Sequence, residues 1–310
     1  MYNRRLFLRN FLTAPALLSM ACRSAWRSGR QLFKISLSEE SLRRSLLAGQ
    51  VDHLDLPRIA KELSIHAVEY GGEFFAGRAQ DRGYLENMRK QCQDFSVKSL
   101  LIRCDGEGRL GEPDALLRKG AVEGHYKWVQ AAQRLGCQAI CVHAESDGSF
   151  LEQQQRVADG LRQLCDYAED YKINVLVENR NGPSANAGWL IGVIKMVDHL
   201  RIGTLPDFGN FQLAADEWYD RYVGVAELMP FAGAVSAQTG EFDARGNDIR
   251  TDYLRMVRVV VAAGYRGHIG INYRGPREIW GIQATKTLLE RVRTTLMAEA
   301  DSSQGRHSLT

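Results

Sequence analysis

The chain has 310 residues, of which 45% are apolar and 25% are charged, with 29 glycines and 7 prolines. This composition excludes a disordered, collagen-like or disulfide-framework protein, and the length suits one large α/β domain. The formal net charge is +3, but removal of residues 1–21 would leave 37 basic and 37 acidic side chains. A neutral body gives no electrostatic reason to expect binding to nucleic acid or to an anionic membrane surface.

The amino terminus has the pattern of an export signal. Arg4 and Arg5 precede an apolar stretch over residues 11–21, Cys22 follows, and the first 30 residues contain no acid. Such a pattern is typical of a signal peptide, and the paired arginines resemble a twin-arginine signal. We expect a periplasmic or otherwise exported protein, cut after Ala21 or, alternatively, lipid-anchored at Cys22. An accidental Arg-Arg pair is the other explanation, and no apolar run reaches the roughly 18 residues that span a bilayer.

From residue 32 onward, a short apolar run followed by an amphipathic helical pattern recurs eight times. The runs cover residues 32–36, 66–70, 97–102, 139–143, 173–178, 201–205, 232–236 and 268–272. Helical patterns between and after them include residues 54–63, 123–135, 154–171, 190–200, 253–263 and 282–297. Each unit therefore predicts a strand and the helix that follows it.

Eight such units predict an α/β fold, a closed (β/α)8 TIM barrel. A doubly wound open sheet is the alternative, but it normally carries a G-x-G-x-x-G fingerprint after its first strand, and this sequence has none there. We expect a signal peptide and short linker over residues 1–30, the barrel over 31–299 and a disordered tail over 300–310.

Polar residues follow the predicted strands where a TIM barrel builds its active site. Because side chains alternate along a strand, Glu178 points into the barrel if Leu176 does. An isolated buried carboxylate is costly, so Glu178 and Asp207 are expected to share a cation, either a divalent metal or an arginine. Arg103 is expected either to touch substrate or to pair locally with an acid that follows it. The full set of candidates is Glu69, Arg103, His143, Glu145, Glu178, Arg180, Asp207, Asn210, Gln238, Glu241, Asn272 and Arg274.

Four segments resemble the sugar phosphate isomerase/epimerase family, the xylose isomerase-like TIM barrels. They are residues 177–179 with 184–186 for its fifth strand, 203–210 for its sixth, 235–247 for its seventh and 264–271 for the approach to its eighth. The resemblance spans about residues 32 to 297. It implies a divalent metal on inward carboxylates and proton transfer between neighbouring carbons of a sugar, because a metal polarises the carbonyl while a carboxylate removes the proton.

The resemblance also assigns roles, with several departures from the family pattern. Glu178, His143 and Glu145 are the candidate catalytic residues; Arg180, Asn210, Gln238, Arg274 and Trp280 are candidates for sugar binding; Glu178, Asp207 and Asn272 are candidates for binding Mn²⁺ or Mg²⁺. Asn272 stands where the family has a glutamate, and Ser236 where many relatives have the metal-binding histidine. Arginine replaces the expected histidine at position 180 and the expected glutamate at position 274. These replacements weaken the pull on a divalent ion and favour arginine–carboxylate pairs.

Two main hypotheses follow. The first is an exported sugar isomerase or epimerase-like enzyme with a metal-assisted site and an altered ligand set. The second is a metal-free barrel that binds a sugar or sugar acid without isomerase activity. A third option is arginine as the electrophile in a metal-free lyase or isomerase. In each case the partner is a small-molecule sugar rather than nucleic acid, and relatives with this barrel often form homodimers.

Overall fold

The computed structural model of the protein describes residues 31–305. Within that range the strands are Lys34–Ser38 (β1), Ala67–Gly71 (β2), Lys98–Arg103 (β3), Ala139–His143 (β4), Asn174–Glu178 (β5), Ile202–Leu205 (β6), Gln212–Ala214 (β7), Glu217–Trp218 (β8), Val235–Thr239 (β9) and His268–Tyr273 (β10). The helices are Arg43–Leu47 (α1), Leu56–Glu62 (α2), Arg82–Asp94 (α3), Ala115–Leu135 (α4), Phe150–Asp170 (α5), Ala187–Val197 (α6), Arg221–Leu228 (α7), Tyr253–Ala262 (α8) and Glu278–Gly305 (α9).

Eight of the strands form one parallel sheet in the order β6-β5-β4-β3-β2-β1-β10-β9, and β7 and β8 form a separate antiparallel pair. Parallel bridges join Thr204 to Ala232 and Asp207 to Ser236 across the two edges of this sheet. The Ser236 backbone N–H donates to the Pro206 carbonyl at 2.9 Å. These contacts close the sheet, and the predicted (β/α)8 TIM barrel is confirmed.

The inside of the barrel follows the two-residue period of its strands. Leu101, Ala139, Cys141, Leu176 and Leu205 form an apolar layer that is separate from the large core around it. Two residues beyond the apolar residues of β3, β4, β5 and β6 lie four polar ones: Arg103, His143, Glu178 and Asp207. The alternation therefore places these polar groups at the carboxyl ends of the strands, which we call the mouth of the barrel.

Most barrel strands lie within one residue of the expected runs. Larger differences are found at the first strand, which is Lys34–Ser38 rather than 32–36, and at the seventh strand of the barrel, which is Val235–Thr239 rather than 232–236. Helix α4 begins at Ala115 rather than at 123. The seventh strand follows the short 3-10 turn Met229–Phe231, and its register is set by pairing with β10. Helix α9 continues to Gly305, into the region expected to be a loose tail.

The expected signal peptide lies outside the described residues, as do residues 306–310. Within the described part, no helix combines the length and the apolar character required to cross a bilayer.

Candidate active site

The mouth of the barrel contains a buried polar layer contributed by five of its strands and their loops. Its members, each no more than 3% exposed, are Glu69, Arg103, Glu178, Asp207 and Asn272. Buried charges are costly unless they are paired, so the contacts among these five groups decide what the site can hold. We call this set the inner layer.

Arg103 is the cation of the inner layer, and it lies between two carboxylates. Its Nη1 is 3.3 Å from Glu69 Oε2, and its Nη2 is 3.6 Å from Glu178 Oε1. Burial lowers the pKa of Arg103, but the carboxylates of Glu178 and Glu69 outweigh it and raise that pKa above its usual value. The predicted local pair with an acid just after β3 is therefore wrong, because Arg103 points into the barrel, where its partners come from β2 and β5.

Glu69 is fixed in place from two sides. The Ser36 hydroxyl donates to Glu69 Oε1 at 2.7 Å. Gly270 on β10 leaves the space that the carboxylate fills, since a Cβ at that position would collide with it. Burial raises the pKa of Glu69, while Arg103 and the Ser36 hydrogen bond oppose that rise. Glu69 therefore holds one end of the Arg103 guanidinium.

Asp207 is held by four hydrogen-bond donors. The backbone amides of Gly209 and Asn210 donate to its Oδ1 at 2.8 and 3.1 Å. The Ser236 hydroxyl and the Asn272 amide donate to its Oδ2 at 2.7 and 3.5 Å. The structure thus brings together Asp207 and Asn272, two of the three predicted metal ligands, and it engages both Asp207 oxygens with protein donors.

The charge of Glu178 acts on Asp207. Burial raises the pKa of Asp207 to about 6, and the negative charge of Glu178 adds to the shift. Both carboxylates also act on the charge of Arg103. The charges of the inner layer therefore act on one another.

Asn179, directly after Glu178, positions the loop that carries Asp207. Its amide Nδ2 donates to the backbone carbonyls of Asp207 and Asn210 at 3.2 and 3.0 Å. Its Oδ1 accepts the Asp207 backbone N–H at 2.7 Å. Asn179 lies in one of the family-like segments, residues 177–179, and the similarity of that segment is the signal in the sequence that points to it.

The inner layer keeps four polar atoms that are buried and form no hydrogen bond. They are Nε and Nη2 of Arg103, Oε1 of Glu178 and Oδ1 of Asn272. Unsatisfied buried polar groups are rare in native proteins and each needs an explanation. The two nitrogens of Arg103 can donate hydrogen bonds, and the oxygens of Glu178 and Asn272 can accept them. Hydroxyl groups, which both donate and accept, match this set of atoms.

A second, more accessible layer lies over one side of the mouth. His143 Nε2 is 2.8 Å from Asp105 Oδ1, and Arg180 Nη1 is 3.5 Å from the same oxygen. The His143 hydrogen bond, with Arg180 nearby, lowers the pKa of Asp105 to about 2 although burial opposes it. His143 Nδ1 is buried without a hydrogen bond. The structure therefore adds Asp105 to the candidate residues, as the group that orients His143.

The remaining predicted sugar-binding residues surround the other side. Gln238 Nε2 donates to Asn210 Oδ1 at 3.2 Å, across the position of Gly209, where a Cβ would collide with Gln238. Arg274 Nη1 donates to Glu40 Oε2 at 3.1 Å. Neither Arg180 nor Arg274 makes the ion pair with Glu178 or Asp207 that the sequence suggested, since Arg103 already occupies that place.

Two other candidates, Trp280 and Glu145, are more exposed to solvent than the inner layer. Trp280 is 42% exposed, but the guanidinium of Arg277 lies 4.0 Å from its ring centroid and Phe242 contacts its ring edge-on at 5.6 Å. The side chain of Glu145 is exposed to solvent in the loop after β4. Glu145 is therefore not a member of the buried inner layer that contains Glu178.

The donor set does not fit the divalent ion that the family resemblance implies. Across residues 31–305 there is no group of three or more His, Cys, Asp or Glu side chains that could hold a metal. Both oxygens of Asp207 are engaged, and the free oxygen of Glu178 faces the cationic Arg103. Asn272 and Ser236 supply neutral oxygen where divalent sites prefer carboxylate or imidazole.

Comparison with known proteins agrees with this fold. The family model described as "Xylose isomerase-like TIM barrel" matches residues 57–295. The chain belongs to this family. No curated protein sequence matches this xylose isomerase-like barrel.

Among solved structures, the barrel is similar to three epimerase-type proteins. L-ribulose 3-epimerase has a TM-score of 0.69 at 14% identity, covering 89% of this chain and 99% of that one. A D-tagatose 3-epimerase-like protein has 0.67 at 18%, covering 86% and 99%. Apo 3-keto-D-glucoside 4-epimerase from E. coli has 0.65 at 15%, covering 84% and 99%. At these identities the likeness is one of fold.

Proposed function

We propose that this protein is a sugar isomerase or epimerase-like enzyme that moves a proton at a carbon next to a sugar carbonyl. The observation that carries the proposal is the Glu178 carboxylate, which is buried, has one oxygen without a hydrogen bond, and belongs to the same inner layer as Asp207. A positioned carboxylate with no competing hydrogen bond is suited to take a proton from carbon. The three similar structures reported above, two named as sugar epimerases and one as epimerase-like, support the same class.

The steps follow from the positions of the chain's own residues. Glu178 takes the proton, and the electron pair of the broken C–H bond moves to the carbonyl oxygen, which gives an enediolate. For isomerisation, Glu178 returns the proton to the neighbouring carbon, and the proton of the neighbouring hydroxyl moves to the enediolate oxygen, so that the carbonyl changes place. For epimerisation, the opposite face of the same carbon takes a proton from Nδ1 of the imidazolium form of His143, whose Nε2 donates to Asp105. Glu178 then loses its proton to solvent and His143 takes one up.

Hydrogen–deuterium exchange tests this proposal. A panel of ketoses and 3-keto sugars is incubated with the protein in D2O, and loss of the C–H signal next to the carbonyl is followed by ¹H NMR. We expect exchange with at least one sugar, and a decrease of about 10²- to 10⁴-fold in Glu178→Gln, the usual contribution of general acid–base catalysis. Glu86→Gln, an exposed glutamate on α3, is the matched control and should exchange at the wild-type rate. No exchange with any sugar would contradict the proposal.

Binding of a sugar or sugar acid without turnover is the second candidate. It is favoured by the ion pair of Glu178 with Arg103, which holds the carboxylate, and by the partly exposed Arg180 and Arg274, which suit a ligand carboxylate. Calorimetric binding of a sugar acid together with an absence of exchange would support this candidate over the enzyme.

We also propose that the protein is exported by its twin-arginine-type segment and that it acts on a small-molecule sugar, as a homodimer. The support for export is the Arg4-Arg5 pair, the following apolar stretch and the absence of acids from the first 30 residues. N-terminal sequencing of protein from the periplasm would show a new terminus near residue 22, and Arg4→Lys with Arg5→Lys should keep the chain in the cytoplasm. Analytical ultracentrifugation of the mature protein tests the dimer.

A further inference from the structure

The centre of the mouth contains a cation that belongs to the chain itself. Arg103 Nη1 lies 3.3 Å from Glu69, and Nη2 lies 3.6 Å from Glu178. We propose that the Arg103 guanidinium takes the place of a divalent cation in this barrel and binds the reacting oxygen of the sugar directly. This inference rests on the proposed function, since it names the group that stabilises the negative charge formed on that oxygen.

The first argument is the arrangement of charge. A divalent ion bound to Glu178 would lie close to a buried guanidinium, and like charges repel strongly in a pocket from which water is excluded. Arg103 is only 3% exposed, so its side chain is enclosed by protein. Its charge also remains at any ordinary pH, because an arginine does not lose its proton in proteins.

The second argument is that the structure fixes Arg103 rather than leaving it free to move aside. Glu69, which pairs with Nη1, is itself held by the Ser36 hydroxyl at 2.7 Å. Gly270 provides the room for Glu69, because any larger residue would collide with its carboxylate. Ser36, Glu69 and Gly270 come from three adjacent strands, β1, β2 and β10, and act as positioning residues for the guanidinium.

The third argument is the set of buried atoms without hydrogen bonds. Arg103 offers N–H groups at Nε and Nη2, while Glu178 Oε1 and Asn272 Oδ1 are acceptors. An oxygen of the sugar can accept from the guanidinium, and a neighbouring hydroxyl can donate to Glu178 or Asn272. An α-hydroxy carbonyl compound, the reacting part of a ketose, supplies this pair of oxygens.

The chemistry balances without a metal. Glu178 takes the proton from carbon and becomes neutral, the C–H electron pair moves to the carbonyl oxygen, and Arg103 donates hydrogen bonds to that oxygen while keeping all its protons. Donors that are already in place where charge develops stabilise a transition state without reorganisation. Glu178 then returns the proton to the neighbouring carbon while the hydroxyl proton moves between the two oxygens, which gives the isomerised sugar and restores the Glu178 carboxylate.

Binding of Mn²⁺, measured by the electron paramagnetic resonance signal of the free ion, tests this inference. The full mature chain should take up no stoichiometric Mn²⁺. In Glu69→Gln with Arg103→Gln, one negative and one positive charge are removed together, which leaves Glu178 and Asp207 without the guanidinium, and affinity for Mn²⁺ should rise by about tenfold or more. The matched control is Arg258→Gln with Glu299→Gln, an exposed ion pair at 2.9 Å, which should bind as the wild type does.

Tight stoichiometric Mn²⁺ binding by the wild-type protein would overturn the inference, as would equal affinity in the wild type and the Glu69/Arg103 variant. If that variant does not fold, ¹⁵N NMR of the wild-type guanidinium decides: Arg103 Nε and Nη resonances should shift when an exchanging ketose is added, and an unchanged spectrum would overturn it. The Mn²⁺ result is independent of turnover. A protein that exchanges no sugar yet excludes Mn²⁺ refutes the proposed function and the contact of Arg103 with a reacting sugar, while the replacement of the divalent cation by Arg103 still holds.

Discussion

Replacement of Asn179 by alanine should both destabilise the barrel and displace Asp207. The side chain makes three hydrogen bonds to the backbone of the loop after β6, at 2.7, 3.0 and 3.2 Å, and Asn179 is fully buried. Each such bond contributes roughly 0.5–1.5 kcal/mol net, and its loss leaves a buried backbone group without a partner. We therefore expect the free energy of unfolding to fall by about 2–4 kcal/mol.

Urea denaturation followed by circular dichroism measures this change. Asn174→Ala is the matched control, since Asn174 begins the same strand, is only half-buried, and contacts Arg201 at the long distance of 3.5 Å. The control should lose about 0.5 kcal/mol or less, as surface substitutions usually do. Equal losses in the two variants would refute the assignment of Asn179 as the residue that holds the loop.

Three further predictions concern the inner layer and the His143–Asp105 pair above it. Burial raises the pKa of Asp207 to about 6 in the folded protein, so the wild type should lose stability as the pH rises from about 4 to about 6. Asp207→Asn should remove this part of the pH dependence, and urea titrations at several pH values measure it. Gly270→Ala should cost about 1–3 kcal/mol in unfolding free energy, because a Cβ collides with the Glu69 carboxylate. The Asp105 carboxyl, whose pKa is lowered to about 2 by the His143 hydrogen bond, should remain ionised down to that pH, as followed by ¹³C NMR.

Much of the fold follows from periodicity in the sequence. The repeated strand-then-helix unit predicts all eight strands of the barrel, and the two-residue period of β5 places Glu178 inside together with Leu176. Both features depend on the local alternation of apolar and polar residues, which a single sequence displays directly. The seventh strand of the barrel was misplaced because its small residues resemble a strand over 232–236, whereas the register is fixed by pairing with β10.

The contacts within the site depend on distant parts of the chain and could not be predicted in the same way. Arg103 has acidic neighbours in sequence, yet its partners Glu69 and Glu178 lie on other strands. The inward direction of the Arg103 side chain determines that it pairs with these two rather than with its sequence neighbours. Asn179 forms side-chain bonds to a loop 28 residues away. The period of β3 turns Arg103 inward with Leu101 but does not show which acids it contacts, and Asn179 follows its strand without a periodic signal, so only the assembled barrel reveals their partners.

The most direct test of the central claim is deuterium exchange at the carbon next to a ketose carbonyl, measured on protein that has been treated with EDTA and freed of metal. The claim is that Glu178 moves this proton while Arg103 stabilises the charge on the carbonyl oxygen, without a divalent ion. The account predicts that the exchange rate is the same before and after chelation and does not rise when Mn²⁺ or Mg²⁺ is added. Exchange that disappears with EDTA and returns with the metal would contradict it.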